Sequence, residues 1–176
     1  MKLSEVVASS SCENISFDIF DTLLLRPFAS PKDLFDFIGA KIGDSGFTKA
    51  RIKAEDLARR ETNEEEVTFN DIYEHIDVKY KNVKQLELDA EEQLLQPNQE
   101  AKEAFNLARK LNKGIYVISD MYLDSLFIEK VLKKNGYDGY SKLYVSSAYK
   151  KTKRTGTLFK HFMSENQLSG QEVLHI

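Results

Sequence analysis

The feature that most constrains the fold is a change in hydrophobic periodicity along the chain. A continuous apolar run at residues 15–20 predicts a strand that is buried on both faces, as in parallel sheets. From residue 29 to about residue 111, apolar residues instead recur at intervals of three and four, which is the spacing of amphipathic helices. Strands and helices then alternate again, and further strands are predicted at 115–119, 143–145 and 173–176.

This order predicts an α/β protein in which helices flank a Rossmann-like parallel sheet and an all-helical cap is inserted after the first strand. The predicted core comprises residues 1–28 and 112–176, and the predicted cap comprises residues 29–111. Within the cap, Thr68 and Asp71 have the spacing of a capping box and are expected to begin a helix.

Composition excludes several classes of function. The chain has 25 Lys and Arg against 28 Asp and Glu, a net charge of -3, so it lacks the basic excess of a nucleic-acid-binding protein. No apolar run approaches the roughly 20 residues of a membrane span, and the N-terminus lacks the apolar segment of a signal peptide. We therefore expect a cytoplasmic protein with no nucleic-acid or membrane partner.

Polar residues follow the predicted strands where the carboxyl ends of a parallel sheet gather. Asp18 ends the first strand, Ser119 and Asp120 end the second, and a basic cluster lies at residues 150–154. A carboxylate, a hydroxyl and an ammonium group suit phosphoryl transfer to an aspartate nucleophile, because the cation and the donors offset the charge of the phosphate. Each residue taken alone is more typical of a turn or a solvated surface, and it is their order on successive strands that indicates a site.

Three segments resemble, in the same order, the first three motifs of the haloacid-dehalogenase (HAD) superfamily. They are FDIFDTL at 17–23, YVISD at 116–120 and KKTKRTGTLF at 150–159. The helical insertion after the first segment is similar to one of the two usual cap positions of that family. The resemblance spans nearly the whole chain and implies a hydrolase that acts on a small phosphorylated substrate.

The resemblance also implies a role for individual residues. Asp18 would be the nucleophile, and Ser119 and Thr22 would bind the phosphoryl group. Lys153 would neutralise charge between the nucleophile and the phosphate. The implied cofactor is Mg²⁺, held by Asp18 and the main-chain carbonyl of Phe20.

A narrower resemblance concerns a bacterial subgroup of predicted hydrolases that is often associated with the synthesis of surface polysaccharides. It is carried by ISFDIFDTLLLRP, ISDMYL and TKRTGTLF in this chain. It implies that the phosphorylated substrate is related to sugars.

The first departure from the HAD pattern is Phe20, which stands where phosphatases of the family have a second aspartate as general acid and base. Loss of that help costs about 10²–10⁴ in rate. Asp21 is one residue later, and strand alternation predicts that it points away from Phe20. Since family dehalogenases carry an aromatic residue here, 2-haloacid dehalogenation is an alternative function.

The second departure concerns the fourth motif, in which Gly-Asp follows a strand and completes the Mg²⁺ site. EVLHI at 172–176 resembles that strand, and Gly-Asp does not follow it in this chain. We therefore expect Mg²⁺ to be weakly bound or absent, and the exposed sheet edge to favour self-association. A catalytically degenerate binding module with the same fold is a further alternative.

Three further residues are candidate contacts for the substrate, namely Asp21, Asp120 and Arg51. Arg51 lies on a predicted cap helix with Glu55 and Arg59 at intervals of four, which is also the pattern of ion pairs on a solvated helix surface. The functional alternative is that Arg51 faces an anionic group of the substrate.

Overall fold

The computed structural model describes residues 2–176 and contains, within that range, a four-stranded sheet, a two-stranded ribbon and nine α-helices. The strands are β1 (Asn14–Phe17), β2 (Leu24–Leu25), β3 (Gln96–Pro97), β4 (Gly114–Ser119), β5 (Lys142–Val145) and β6 (Val173–His175). The helices are α1 (Leu3–Ser9), α2 (Asp33–Ile42), α3 (Gly46–Glu61), α4 (Phe69–His75), α5 (Lys84–Leu94), α6 (Gln99–Lys110), α7 (Ser125–Lys134), α8 (Ser146–Tyr149) and α9 (Thr157–Asn166), and a 3₁₀ helix covers Val78–Val83.

The four strands of the main sheet are parallel and lie in the order β5-β4-β1-β6. Strand β1 is interior, with Ile15 beside Ile115 on one side and Leu174 on the other. Ile15, Ser16 and Phe17 are all buried, so both faces of β1 are covered, as its continuous apolar sequence predicts. The predicted α/β fold with a parallel sheet flanked by helices is confirmed.

The helices α2 to α5, which we call the cap, lie between β2 and β3 in the sequence. These two strands pair antiparallel, with Leu24 beside Pro97, so the two connections between core and cap run side by side. The Asn98 N–H donates to the Leu23 carbonyl at 2.9 Å, and the Tyr137 hydroxyl donates to the same carbonyl at 2.7 Å. Both connections are therefore tied to the core by hydrogen bonds.

Helix α4 begins where the sequence predicts. The Asp71 N–H donates to the Thr68 hydroxyl at 3.1 Å, and the Thr68 N–H donates to the Asp71 carboxylate at 2.8 Å. These two bonds satisfy N–H groups that have no partner within the helix. The predicted capping box is confirmed.

Helix α6 falls inside the predicted cap range of 29–111 but packs on the core. It lies against α1 and β4, and the ring of Phe105 is 5.4 Å from that of Phe17 and 5.3 Å from that of Tyr137. An amphipathic pattern shows that a helix buries one face without showing against what, so the sequence could not separate α6 from the cap. The division of the chain into two domains stays a prediction.

No helix within residues 2–176 is a candidate membrane span. The longest helix there, α3, has 16 residues, and no helix is both long and apolar enough to cross a bilayer.

Strands β5 and β6 form the two edges of the sheet, and self-association through such an edge stays a prediction.

Candidate active site

The candidate site lies at the carboxyl edge of the parallel sheet. Asp18 follows β1, Ser119 is the last residue of β4, and Ser146 follows β5. The Asp18 N–H donates to the Ile176 carbonyl at 2.7 Å, which extends the pairing of β1 with β6 to the site. Parallel strands that end together bring these residues to one edge.

The central contact of the site joins Asp18 to Lys153. The Lys153 ammonium Nζ lies 2.7 Å from Oδ2 of Asp18, and the side chains are 17% and 29% exposed, respectively. The other carboxylate oxygen of Asp18 accepts the Ile19 N–H at 2.8 Å. Because the pair is partly shielded from water, its attraction exceeds that of a fully solvated pair.

Asp120 holds the loop that carries Lys153. Its Oδ1 accepts the Lys153 N–H at 2.7 Å, and its Oδ2 accepts the Arg154 N–H at 3.3 Å. Ser119 is buried beside it, and no hydrogen bond joins the Ser119 hydroxyl to Asp18 or Lys153. The structure thus brings Asp18, Asp120 and Lys153 into one bonded group, with Ser119 next to it in the chain.

The turn after β1 places Phe20 and Asp21 differently from the prediction. The strand ends at Phe17, and Asp21 has a left-handed backbone with φ of 59°. Phe20 and Asp21 both line the same cleft, and the extended backbone on which the expected opposite directions depend is not present at Asp21. Alternation holds only for extended backbone, and residues 18–23 form a turn. The Thr22 carbonyl accepts the Asn98 side-chain amide at 2.9 Å, which ties this turn to the end of β3.

A cleft of about 410 Å³ opens between the cap and the carboxyl edge of the sheet, and we call it the cap cleft. Its walls combine carboxylates, cations and apolar side chains, namely Phe20, Asp21, Arg26, Pro31, Lys32, Phe35, Ile52, Glu55, Asp56, Glu91, Asp120, Met121 and Tyr122. This volume is in the range of small-molecule sites. The only candidate substrate contacts that line it are Asp21 and Asp120.

Arg51 does not face the cap cleft, which corrects its assignment as a substrate contact. Its side chain is fully buried, with Nη2 2.9 Å from Oε1 of Glu87 and Nη1 3.1 Å from Oε2 of Glu55. Desolvation alone would lower the pKa of Arg51, but Tyr122 and Glu87 raise it above its usual value, so the guanidinium stays charged. An internal cation that two carboxylates of the cap pair with is a structural element of the cap.

The Glu87 side of this pair could not be predicted. The Arg51 Nε donates to both Glu87 carboxylate oxygens at 3.0 Å, and the Tyr73 hydroxyl donates to Oε2 at 2.7 Å. Nη2 is close to Glu87 but is not aligned for a hydrogen bond. The expected pairs of Glu55 with Arg51 and Arg59 are present at 3.1 and 3.0 Å.

Arg26 is a second buried cation that the sequence did not single out as a site residue. It forms an ion pair with Glu91 at 3.0 Å, and its guanidinium carbon lies 4.2 Å from the centre of the Phe20 ring. The contact clamps the turn after β1 against α5. Its position just after the first motif was the one available signal.

Tyr122 lines the cap cleft and also two other cavities. One, of about 320 Å³, we call the loop cleft; it is lined by Arg59, Glu65, Glu66, Asp120, Met121, Tyr122, Thr152 and Arg154. The other, also about 320 Å³, we call the rear cavity; it lies between α4, α5 and α7. Tyr122 stacks on Phe69 with ring centres 6.0 Å apart, and its carbonyl accepts the Phe69 N–H at 2.8 Å.

The oxygens of the site fit a cation that arrives with a phosphate. Residues 2–176 contain no group of three or more His, Cys, Asp or Glu arranged to hold a metal. The implied donors are the Asp18 carboxylate and the Phe20 carbonyl, which accepts no main-chain hydrogen bond. Mg²⁺ is commonly bound by one or two carboxylates, several waters and substrate phosphate oxygens. The two protein oxygens would therefore supply only part of its coordination shell, and water and phosphate would supply the rest.

Sequence comparison gives no relative: no protein-family model and no curated protein matches the chain. Solved structures do match its fold. One is a dehalogenase solved with an intermediate complex, which matches with a TM-score of 0.64 at 13% identity. The match covers 94% of this chain and 76% of the dehalogenase chain. The L-2-haloacid dehalogenase of Xanthobacter autotrophicus has a TM-score of 0.60 at 12% identity and covers 93% of this chain and 69% of its own.

A phosphate-binding structure is also similar. It is a HAD-family enzyme of Bacteroides thetaiotaomicron in complex with magnesium and inorganic phosphate, with a TM-score of 0.59 at 15% identity, covering 94% of this chain and 84% of its own. Identities in this range establish a shared fold rather than a shared reaction. The chain therefore has the α/β fold of HAD-family enzymes, with a parallel sheet flanked by helices.

Proposed function

We propose that the chain is a HAD-superfamily hydrolase that cleaves phosphate monoesters through an aspartyl-phosphate intermediate on Asp18. The observation that carries the proposal is the 2.7 Å contact of the Lys153 ammonium with the Asp18 carboxylate at the mouth of the sheet. Like charges about 4 Å apart near a protein surface repel by about 4 kcal/mol. A carboxylate can attack a phosphate only if a cation offsets this repulsion, and Lys153 supplies one.

The proposed reaction has two displacement steps. A carboxylate oxygen of Asp18 attacks phosphorus, and the ester P–O bond breaks with its electron pair on the alcohol oxygen, which takes a proton from water. A second water then adds to phosphorus as the bond to Asp18 breaks, which releases inorganic phosphate and regenerates the carboxylate. The buried Ser119 hydroxyl and the Thr22 hydroxyl are proposed to donate to the phosphoryl oxygens.

Mg²⁺ is the proposed cofactor. The Asp18 carboxylate and the Phe20 carbonyl would hold it together with the substrate phosphate. When bound, the cation would add positive charge beside the phosphoryl oxygens. Since the protein supplies few ligands, we expect its affinity to depend on the phosphate being present.

The cap cleft supports a sugar-related substrate. Asp21, Asp56 and Asp120 line it, and carboxylates accept hydrogen bonds from hydroxyl groups. Phe35 and Tyr122 add aromatic surface on which an apolar face of a sugar ring can pack. We therefore propose a small sugar phosphate or polyol phosphate, consistent with the resemblance to the polysaccharide-associated subgroup.

Substitution of Asp18 tests the proposed nucleophile. The Asp18→Asn variant should lose all Mg²⁺-dependent phosphate release from a panel of sugar phosphates and p-nitrophenyl phosphate. Asp138→Asn is the matched control, because Asp138 is 64% exposed and pairs only with Arg109. Equal phosphate release by Asp18→Asn and the wild type would refute the proposal.

Phe20 favours a second candidate reaction, the hydrolysis of 2-haloacids. Its ring lines the cap cleft beside Arg26, and no carboxylate stands at its position. In this reaction Asp18 displaces halide from carbon, and water cleaves the resulting ester. Chloride release from 2-chloropropionate without metal would support it, and phosphate release without chloride release would eliminate it.

Absence of both activities would favour the degenerate binding module. A thermal-shift titration with Mg²⁺ and beryllofluoride separates this outcome from a missing substrate. Stabilisation that requires both components and Asp18 would show a working phosphoryl site. No shift in the wild type would favour the module.

A further inference from the structure

One carboxylate of the cap, that of Glu65, accepts several hydrogen bonds from the loop that carries Lys153. Its Oε2 accepts hydrogen bonds from the Thr152 N–H at 2.9 Å, the Thr155 hydroxyl at 2.6 Å and the Thr157 hydroxyl at 2.5 Å. The Thr152 hydroxyl is a further donor at 3.2 Å. We call this arrangement of Glu65 with the three threonines the clasp.

The carboxylate at the centre of the clasp is ionised at ordinary pH. Hydrogen bonds from Thr155, Thr157 and Thr152 lower the pKa of Glu65 to about 2, so the carboxylate is charged when these donors surround it. Hydrogen bonds to an ionised acceptor are roughly twice as strong as neutral ones. Four of them on one oxygen fix the loop relative to the cap.

Two carboxylates therefore hold adjacent amides of the same loop. Asp120, from the end of β4, accepts the Lys153 N–H at 2.7 Å, and Glu65, from the cap, accepts the Thr152 N–H at 2.9 Å. The loop also bonds to the core on its own, through the Lys151 N–H and the Ser146 carbonyl. The core thus holds Lys153 at its own main-chain amide, and the cap holds threonines on both sides of it.

The neighbouring cap residue adds a second tie. The Ser146 hydroxyl donates to Glu66 Oε2 at 3.0 Å, and the Lys150 ammonium donates to the Glu66 carbonyl at 3.4 Å. These contacts bring residues 65–66 to the start of α8 and to the loop after it. The cap is anchored at the third motif as well as at the β2–β3 ribbon.

We propose that Glu65 is a positioning residue that couples the placement of the cap to the placement of the Lys153 ammonium on Asp18. When the clasp is made, the loop is fixed and Nζ stays on the carboxylate. When the cap moves away, Thr152, Thr155 and Thr157 lose their shared acceptor and the Lys153 loop is held from the core side alone. The effect on turnover rests on the proposed function, whereas the coupling itself does not.

The test measures Lys153 directly, without turnover. Acetylation of the intact protein by acetic anhydride, followed by peptide mass spectrometry, gives the rate at Lys153 relative to Lys53 on the exposed face of α3. Glu65→Gln should raise this relative rate about tenfold, the factor that corresponds to one lost charge-assisted hydrogen bond. Glu64→Gln is the matched control, because Glu64 makes no side-chain hydrogen bond, and it should leave the rate unchanged.

A second pair of variants guards against misfolding. Thr155→Val removes one clasp donor and should raise the Lys153 rate, whereas Thr155→Ser keeps the hydroxyl and should restore the wild-type value. Circular dichroism confirms that each variant is folded. A Lys153 rate in Glu65→Gln and in Thr155→Val equal to that of Glu64→Gln would overturn the proposal.

Turnover provides an independent readout. If the chain hydrolyses phosphate esters, Glu65→Gln should lower kcat more than it changes KM, because Lys153 acts on the charge that develops in the reaction. Protection of Lys153 by Glu65 in a chain without hydrolysis would uphold the coupling while refuting the proposed function. Hydrolysis without protection of Lys153 by Glu65 would uphold the proposed function and refute the coupling.

Discussion

The buried ion pair between Arg51 and Glu87 gives a quantitative test of the cap. Their side chains are 0% and 1% exposed, so neither charge is solvated once its partner is removed. Breaking a buried pair by removing one partner costs about 3–5 kcal/mol. Because a domain of this kind is stabilised by about 5–15 kcal/mol in total, Arg51→Met or Glu87→Met alone should remove about a fifth or more of the free energy of unfolding.

The double substitution should behave differently from the sum of the single ones. With both charges gone, two flexible apolar side chains fill the space between the Phe35 and Tyr122 rings that now contact the guanidinium. Replacing a whole buried pair by apolar residues is often neutral or stabilising. The Tyr73 hydroxyl loses its acceptor, which costs about 1–3 kcal/mol, so we expect the double variant to be more stable than either single variant.

The assay is urea unfolding followed by circular dichroism at equal protein concentration for the wild type, both single variants and the double variant. The slope of unfolding free energy against urea must stay constant, so that midpoints compare stability. A coupling energy of about 3 kcal/mol or more is expected from the cycle. Single variants within about 1 kcal/mol of the wild type would show that the pair is solvated, and the reasoning would be wrong.

Two further predictions concern pH and the connections to the cap. Hydrogen bonds from Thr155 and its neighbours lower the pKa of Glu65 from 4.5 to about 2. The stabilisation by this carboxylate is therefore present above about pH 5 and is lost as the pH falls through 2. Across that window, Tm should fall less steeply in Glu65→Gln than in the wild type. Tyr137→Phe removes the hydroxyl that lies 2.7 Å from the Leu23 carbonyl and 3.1 Å from the Asn98 carbonyl, one on each connection of the β2–β3 ribbon. It should lower the free energy of unfolding in urea by about 1 kcal/mol. Tyr140→Phe loses no hydrogen bond and should lower it by less.

Local signals predicted most of the secondary structure. The capping box at Thr68 located the start of α4, because such a signal acts over a few residues. Helix α1, by contrast, was not predicted. Its seven residues bury only Val7, so they carry little amphipathic signal.

Contacts between distant segments were beyond the reach of the sequence. Arg51 shows the spacing of a surface ion pair, and the partner that buries it, Glu87, is 36 residues away. The clasp joins Glu65 to residues about 90 positions later, and an acidic run followed by a threonine-rich loop is not a recognised motif. The order of the three motifs placed Asp18, Ser119 and Lys153 on neighbouring elements because parallel strands force their carboxyl ends together.

We expect one residue, Tyr122, to limit the length of the ligand that the cap cleft accepts. Tyr122 lines the cap cleft, the loop cleft and the rear cavity, so one side chain contributes to the wall of all three. Replacing it by alanine would widen all three cavities where they meet this side chain, and because Tyr122 is only partly buried the loss of stability should be below the about 3–5 kcal/mol of a fully buried aromatic. A ligand of the cap cleft that contacts Tyr122 in the native protein would then have room for a longer group at that point.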